Sequence, residues 1–177
     1  MIDCLSQAMA GDNCRAELFR EGYREPLKAA CAEDRDIWAI YANNFGPDGF
    51  DDSIDLYTSS RRNLTFVLFD GNELAGMSSF LGIDERRQCL EIGGTYYRPH
   101  LRDTGLNRRI KDMMLACAFE RGIRRVEFRV DRRNARSQAA MKKLGAVREG
   151  VIRADRVTWT GHVRDTVLFS ILRDEWA

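Results

Sequence analysis

Prolines, histidines and long apolar runs are all scarce in this chain, which has only three prolines and two histidines among 177 residues. No Gly/Ser-rich or low-complexity stretch indicates a linker, so we expect a single domain over residues 1–177. The longest uninterrupted apolar run, residues 113–119, is far shorter than the roughly 20 residues that span a bilayer. The first ten residues also lack the pattern of a signal peptide. We therefore expect a cytoplasmic protein without a membrane partner.

The cysteines and histidines do not form the pattern of a metal site. The cysteines are odd in number and scattered, with no C-x-x-C pair and no histidine at ligand spacing: Cys4, Cys14, Cys31, Cys89 and Cys117. They indicate reduced, mostly structural thiols. His100 and His162 favour neither a zinc site nor a Cys–His nucleophile, so we expect no metal.

Charge is distributed unevenly along the chain although the net charge is only +1. Residues 1–90 carry 9 Lys/Arg and 16 Asp/Glu, a net charge of −7, whereas residues 91–177 carry 19 and 11, a net charge of +8. The basic residues alternate with apolar ones and form no basic tail or aromatic-rich ribbon, which argues against a nucleic-acid partner. A small molecule that carries a polyphosphate explains the asymmetry more simply.

Hydrophobic periodicity predicts a mixed α/β sheet in which strands and helices alternate. The predicted strands cover residues 13–19, 64–69, 74–81, 90–97, 125–130, 147–155 and 164–172. The predicted helices cover residues 24–32, 35–41 and 50–59, then one from Thr104 to before Gly122 and one from Asn134 to before Gly145. The helix after Thr104 has one buried face, formed by Leu106, Ile110, Met113, Met114, Cys117 and Ala118.

A glycine turn lies between the strand at residues 90–97 and the clearest helix. It reads Arg102-Asp103-Thr104-Gly105-Leu106-Asn107. A turn of this kind directs several backbone N–H groups and the positive end of the helix dipole at one point, which suits a pyrophosphate. Thr-Gly before a helix is also common in ordinary turns, so this segment alone leaves an anion site and a simple turn both open.

A second pattern downstream strengthens the first. It reads Asn134-Ala135-Arg136-Ser137 and ends in Lys143-Leu144-Gly145. Together the two blocks resemble the GNAT superfamily of N-acetyltransferases, and within it the branch of ribosomal-protein N-terminal acetyltransferases. The resemblance runs from about residue 64 to residue 176, with a weaker match upstream. The family's turn reads Gln/Arg-x-x-Gly-x-Gly/Ala. This chain departs from it at the last position, where it has Asn107, but this branch often has asparagine there.

The resemblance implies both a fold and a reaction. The fold is a GNAT-like mixed sheet of six to seven strands, mostly antiparallel, with a central splayed parallel pair and flanking helices. The reaction uses acetyl-CoA as co-substrate, and a primary amine on a protein N-terminus or a small molecule attacks the thioester directly. The acceptor would be held by residues 24–60 and by the hairpin around Trp159. A homodimer is reasonable for this family.

The resemblance also implies which residues bind CoA. The pantetheine arm would lie beside residues 94–97, and the pyrophosphate would bind the turn. Asn134 would bind the pantetheine amide or act only as a helix N-cap, and Lys143 would reach the 3′-phosphate or lie on a solvated helix face. The expected cofactor-binding residues are Thr95, Tyr96, Tyr97, Arg102, Asp103, Thr104, Gly105, Leu106, Asn107, Arg108, Asn134 and Lys143.

The same resemblance makes two residues candidates for acid–base catalysis. Glu91 would take the proton of the amine, or it would merely face the surface or pair with an arginine such as Arg129. Ser137 would protonate the leaving sulfur or only donate a hydrogen bond to it. Many relatives have a tyrosine where this chain has Met141. This departure keeps open a second hypothesis, a non-catalytic acyl-CoA-binding module of the same fold.

Two groups of residues in the first half could contact the acceptor. One consists of acids that could attract a cationic amine, namely Asp48, Asp51, Asp52 and Asp55. The other consists of aromatic residues, namely Trp38, Tyr41, Phe45 and Phe50. Both groups also have ordinary roles, since acids are common at helix starts and aromatic residues are common in cores.

Overall fold

A computed structural model describes residues 2–176 of the chain. The helices are α1 (Ile2–Leu5), α2 (Arg24–Cys31), α3 (Phe50–Ser59), α4 (Leu106–Glu120) and α5 (Ala135–Leu144). The strands are β1 (Met9–Gly11), β2 (Cys14–Leu18), β3 (Leu64–Asp70), β4 (Glu73–Asp84), β5 (Cys89–Tyr97), β6 (Arg125–Asp131), β7 (Val147–Val157) and β8 (Val163–Leu172). Among the described residues, no helix is long and apolar enough to cross a bilayer.

The strands form one sheet in the order β1-β2-β3-β4-β5-β6-β8-β7. Neighbouring strands are antiparallel except β5 and β6, which are parallel. This arrangement confirms the predicted mixed, mostly antiparallel sheet with a central parallel pair. The sheet has eight strands instead of six to seven, partly because the short strand β1 pairs with β2. A three-residue strand is too short to show the alternation that identifies strands in a sequence.

Most other element boundaries agree with the sequence to within a few residues. The helix predicted at residues 50–59 is α3, and the N-cap predicted at Asn134 begins α5. The segment predicted as a helix at residues 35–41 is instead a 3-10 helix over Asp36–Ile40. Over so few residues, the apolar spacing of a 3-10 helix is too similar to that of an α-helix for the sequence to distinguish the two.

The parallel pair β5 and β6 separates part of the way along its length. Pairing covers only Cys89↔Arg125, Leu90↔Val126 and Glu91↔Glu127. Just beyond, β5 contains one extra residue relative to β4, since Met77 pairs with Tyr96 and Ser79 with Gly93. Gly94 in this bulge has a φ of +58°, which favours glycine, and a Cβ there would lie 2.7 Å from Tyr57 Cε1. A bulge bends its strand, and here it accompanies the separation of β5 from β6.

Each face of the sheet has its own hydrophobic core. The first core contains the predicted face of α4, with Leu106, Ile110, Met114, Cys117 and Ala118 buried and Met113 partly buried. Alternate residues of β6 belong to the same core, as predicted: Val126, Phe128 and Val130. The second core lies among α2, α3 and the sheet. There, Trp38 stacks on Tyr96 with ring centroids 4.8 Å apart.

Candidate active site

A cleft of about 250 Å³ lies where β5 and β6 separate. Its walls come from β5, β6, α4 and α5, from the segment at residues 37–45, and from β7 and β8. The cleft brings together eight of the predicted site residues, namely Glu91, Thr95, Tyr97, Arg102, Asp103, Asn107, Asn134 and Ser137. Residues that are far apart in the sequence therefore share one cavity.

The other six predicted residues do not line the cleft. Thr104, Gly105 and Arg108 are exposed around the first turn of α4, and Lys143 is exposed on α5. The remaining two are buried in the two cores, namely Leu106 and Tyr96. The Tyr96 hydroxyl donates a hydrogen bond of 2.8 Å to the Ala30 carbonyl, so its ring points away from the cleft. Only backbone groups of these two buried residues can serve a ligand.

The turn before α4 has the backbone shape that an anion site requires. Gly105 is the N-cap with a φ of 85°, in the left-handed region that favours glycine. The Thr104 hydroxyl donates to the Leu101 carbonyl at 2.8 Å, which connects the turn to a short 3-10 helix over Pro99–Leu101. The first N–H groups of a helix have no partner within it. In this turn the Leu106 N–H makes a long bond of 3.4 Å to Thr104 Oγ1, and the Arg108 N–H donates to the Gly105 carbonyl at 3.0 Å. Among the described residues no acceptor bonds the Asn107 N–H, which is therefore open to an anion, and the side chain of Asp103 is exposed.

Arg102 is held inside the wall of the cleft. Its Nε donates to the Tyr97 carbonyl at 2.9 Å, and its Nη1 pairs with the carboxylate of Asp34. Its Nη2 is buried and has no hydrogen-bond partner among the described residues. Arg108, the other arginine among the predicted cofactor-binding residues, pairs with Asp112 at 2.7 Å. Arg102 thus has one free donor, and Arg108 is occupied at the surface.

Asn134 caps α5 through its side chain. Its Oδ1 accepts a hydrogen bond of 2.9 Å from the Ser137 backbone N–H. The two roles predicted for Asn134 are compatible, because the cap uses the oxygen and leaves the amide nitrogen for a ligand in the cleft. Ser137 is half-buried on the same first turn of α5, and Met141 is buried one turn further on. Both side chains line the cleft.

Glu91 lies at the end of the paired part of β5 and is largely buried. Burial raises the pKa of this carboxyl above its usual range, while Arg156, Arg129 and Arg164 act in the opposite direction. The Arg129 Nε lies 3.7 Å from Glu91 Oε2, so the ion pair that the sequence left open is present. Glycine at position 93 leaves room for the carboxylate, since a Cβ there would lie 2.5 Å from Glu91 Oε1.

Comparison with known proteins places the chain in a family. The family model described as acetyltransferase (GNAT) family matches residues 29–146. The chain belongs to the GNAT acetyltransferases. One similar solved structure is a probable GNAT acetyltransferase from Chromobacterium violaceum, with a TM-score of 0.89 and 28% identity over 97% of this chain and 88% of that one. The search of curated proteins found no match.

Two more distant structures share the fold of this acetyltransferase. The ribosomal-protein-S5-alanine acetyltransferase from Vibrio fischeri has a TM-score of 0.74 and 17% identity, covering 97% of this chain and 99% of its own. RimJ from Mycobacterium smegmatis, solved in complex with CoA-disulfide, has a TM-score of 0.84 and 15% identity, covering 97% and 90%. These findings confirm the predicted family and fold. Enzymes of this family use acetyl-CoA as the acetyl donor.

One lysine in the cleft of the acetyltransferase was missed by the sequence interpretation. Lys111 on α4 is only 3% exposed, and its Nζ donates to Thr95 Oγ1 at 2.6 Å. Burial lowers the pKa of Lys111 from 10.5 to about 7. A signal was present in the sequence, because position 111 lies three residues before Met114 and seven before Ala118, on the buried face of the helix.

The acids proposed as contacts for a cationic acceptor lie outside the cleft of the acetyltransferase. Asp51 and Asp55 pair with Arg24 of α2, at 3.2 and 2.7 Å. Their role is therefore to join α2 to α3 at the surface, where such pairs contribute up to about 1 kcal/mol.

The aromatic residues proposed as acceptor contacts divide between the cleft and the core. Tyr41 and Phe45 line the cleft, whereas Trp38 and Phe50 belong to the second core only. Trp159 at the tip of the closing hairpin donates from its Nε1 to the Trp38 carbonyl at 2.7 Å. This bond fixes the hairpin against the 3-10 helix at Asp36–Ile40 instead of presenting the indole to the cleft.

Proposed function

We propose that this acetyltransferase transfers an acetyl group from acetyl-CoA to a primary amine, which attacks the thioester directly. The observation that carries the proposal is the position of Glu91, a largely buried carboxylate in the cleft where β5 and β6 separate. Its raised pKa makes it a better proton acceptor near neutral pH than an exposed glutamate. A protonated acceptor amine must lose a proton to a base before it can attack the thioester, and Glu91 would accept that proton.

The residues around the cleft fit CoA. The turn at the start of α4, with the open Asn107 N–H, suits the pyrophosphate, and the Nη2 of Arg102 is a buried donor without a partner among the described residues. The amide nitrogen of Asn134 suits the pantetheine arm. Beyond the last β5–β6 pair, Glu91↔Glu127, the facing edges of the two strands are unpaired and can bond an extended chain. Acetyl-CoA, when bound, supplies the acetyl group as an activated thioester.

Each step of the transfer has a candidate group in the chain. Glu91 accepts the proton of the amine, directly or through a water molecule. A backbone N–H near Tyr96 or Tyr97 stabilises the negative charge that develops on the carbonyl oxygen. The Ser137 hydroxyl donates a hydrogen bond or a proton to the departing sulfur. The single domain, the cytoplasmic location and the homodimer stay predictions from the sequence.

Release of free thiol from acetyl-CoA, measured with purified protein and a mixed panel of amines, tests this function. We expect thiol release with at least one amine and a large loss of rate in Glu91→Gln and Ser137→Ala. A non-catalytic acyl-CoA-binding module would bind CoA in a calorimetric titration and release no thiol with any amine. The buried Met141, which has no hydroxyl to offer the sulfur, is the observation that favours that second function. Full turnover in both variants would contradict the assigned roles.

A further inference from the structure

One wall of the cleft is formed by three arginines from β6, β7 and β8. This arginine wall consists of Arg129, Arg156 and Arg164. All three act electrostatically on Glu91, and Arg129 lies 3.7 Å from its carboxylate. The complete lining of the cleft contains six Lys/Arg residues and three Asp/Glu residues, so it carries an excess of positive charge.

The arginine wall lies on the opposite face of the sheet from the proposed CoA turn. In β8, Val167, Phe169 and Ile171 belong to the first core with α4 and α5. Side chains alternate along a strand, so Arg164 and Thr166 point to the other face. Glu91 also points to that face, since its neighbours Leu90 and Ile92 belong to the first core. The wall is therefore next to the proposed base and away from the phosphates.

Arg164 is the central observation because it is buried without a carboxylate partner. It is only 5% exposed. Its Nε donates to Thr166 Oγ1 at 3.0 Å and its Nη2 to the Arg129 carbonyl at 2.8 Å. Among the residues that the structure describes, no carboxylate forms an ion pair with it and no acceptor bonds its Nη1. A buried guanidinium normally makes a direct ion pair, and here carboxylates act on it only from a greater distance, so an anion bound in the cleft would supply that pair.

The acids nearest the wall are already engaged. Glu127 accepts from both Arg125 and Arg129, at 3.0 and 3.2 Å. Asp155 accepts from the Thr166 hydroxyl at 2.8 Å and pairs with Arg156 at 3.1 Å. Asp131, the carboxylate that acts most strongly on Arg164, pairs with Arg133 at 2.8 Å. Asp131, Glu91 and Asp155 thus stabilise the charge of Arg164 only from beyond ion-pair distance, and no described carboxylate contacts its guanidinium directly.

We propose that the acceptor is a small aminocarboxylate, a molecule in which an anionic carboxylate stands near the primary amine. This inference rests on the proposed function of the same site. Glu91 receives the ammonium group and the arginine wall receives the carboxylate, so the two ends are recognised by opposite charges. Ile37, Ile40 and Leu81 line the same cleft and suit an apolar skeleton. A polyamine would place a second positive charge against the arginines and is disfavoured.

Matched pairs of acceptors test the proposal with the full chain and acetyl-CoA. L-leucine, β-alanine and γ-aminobutyrate are each compared with their primary amides, and spermidine is included as a cationic amine. We expect kcat/KM to be about ten- to a hundredfold higher for the acids than for the amides, as for other charged hydrogen bonds. The amine of an α-amino amide is less basic than the amine of the corresponding acid, so a larger fraction of it is unprotonated and able to attack at neutral pH. A preference for the acids would therefore be opposite to the intrinsic reactivity.

Variants identify the wall as the cause of the preference. Arg156→Gln, at a residue whose side chain is 40% exposed, should fold and should move the acid-to-amide ratio toward one. Arg164→Gln should abolish the preference, with its fold checked by thermal melting and CoA binding. Arg153→Gln is the control, because Arg153 is exposed on the same strand and does not line the cleft. We expect the control to keep the wild-type ratio.

The outcomes separate this inference from the proposed function. Acids and amides acetylated equally well, or spermidine preferred, would overturn the aminocarboxylate and leave the N-acetyltransferase standing. An unchanged ratio in Arg156→Gln would equally overturn it. CoA binding without thiol release for every amine would overturn the proposed function and this inference together.

Discussion

The Nζ of Lys111 lies 2.6 Å from the hydroxyl oxygen of Thr95, inside the cleft. The bond joins α4 to the bulged segment of β5, and a longer contact of 3.4 Å connects the same amine to Ser78 Oγ. Both partners are neutral hydroxyls, which compensate the loss of water around an ammonium less well than a carboxylate would. The lysine is therefore held in place at a site that favours its uncharged form.

Replacing Lys111 with Met should stabilise the protein most at neutral and lower pH. The folded-state pKa of about 7 lies below the ordinary 10.5, so the unfolded chain binds more protons between these two values. The contribution of Lys111 to the free energy of unfolding therefore rises with pH across that window. We expect the advantage of Lys111→Met to shrink by up to about 4 kcal/mol from neutral pH to the upper end of the window, as measured by denaturant unfolding.

Removing the lysine does not leave its two hydroxyl partners without a hydrogen bond, because Ser78 Oγ and Thr95 Oγ1 lie 2.7 Å apart and bond each other. The stability difference therefore reports on the amine alone. Lys142→Met, at an exposed position on α5, is the matched control and should show no such trend. A pH-independent difference between wild type and Lys111→Met would mean that the amine is charged throughout.

Replacing Glu91 with Gln should lower kcat by about a hundredfold or more while CoA binding stays unchanged, because only proton removal is lost. In the wild type, kcat/KM should fall as the pH drops through the raised pKa of this carboxyl, and that acidic limb should be missing from the variant. Glu73→Gln, at an exposed position outside the cleft, should behave like the wild type. An acidic limb that persists in Glu91→Gln would assign the base to another group.

Replacing Asn134 with Asp separates its two roles. Aspartate keeps the oxygen that accepts the Ser137 N–H and removes the amide donor. We expect Asn134→Asp to melt near the wild-type temperature but to bind CoA about tenfold or more weakly in calorimetry. Asn134→Ala should lose the cap as well, at a cost of about 1 kcal/mol. If Asn134→Asp binds CoA as the wild type does, the residue is only a cap.

Replacing Gly105 with Ala should weaken CoA binding as well as stability. Its φ of +85° strains any residue with a Cβ, and no atom lies within 4 Å of the added group, so the cost of about 1 kcal/mol comes from the backbone. Gly145→Ala is a close control, with a φ of +91° and the same free space, but at the C-terminal end of α5 and not in the turn before α4. Both variants should melt lower, and only Gly105→Ala should show a raised Kd for CoA. Equal Kd values would remove the turn from the CoA site.

Local patterns were sufficient to predict most of the secondary structure and one part of the cleft. The apolar spacing of α4, the Asn134 cap and the αL glycine at 105 are each determined by neighbours within one turn of helix. Such features are visible in the sequence because the residues that cause them are adjacent to one another. The family resemblance that the two motif blocks carry predicted site roles for Glu91, Asn134 and Ser137, and all three line one cleft.

Long-range partners were not predictable in the same way. Asp34 holds Arg102 across 68 residues, and Arg164 donates to the Arg129 carbonyl across 35. The local spacing of residues indicates neither bond, because both bonds depend on how distant segments are arranged around the sheet. Arg164 begins the strand predicted at residues 164–172, and nothing in the local sequence indicates that it is nearly fully buried beside the cleft.

The extra residue at Gly94 changes the parity of β5. Glu91 lies on the face of the second core, and an uninterrupted strand would turn Thr95 to that same face and Tyr96 to the other. With the extra residue, Tyr96 packs in the second core while Thr95 meets Lys111 from α4. Deleting one residue here would exchange the two sides, so that Tyr96 would leave its stack on Trp38 and Thr95 would lose its lysine. The number of residues in this strand is therefore constrained, because a change of one residue would turn every later side chain to the other face of the sheet.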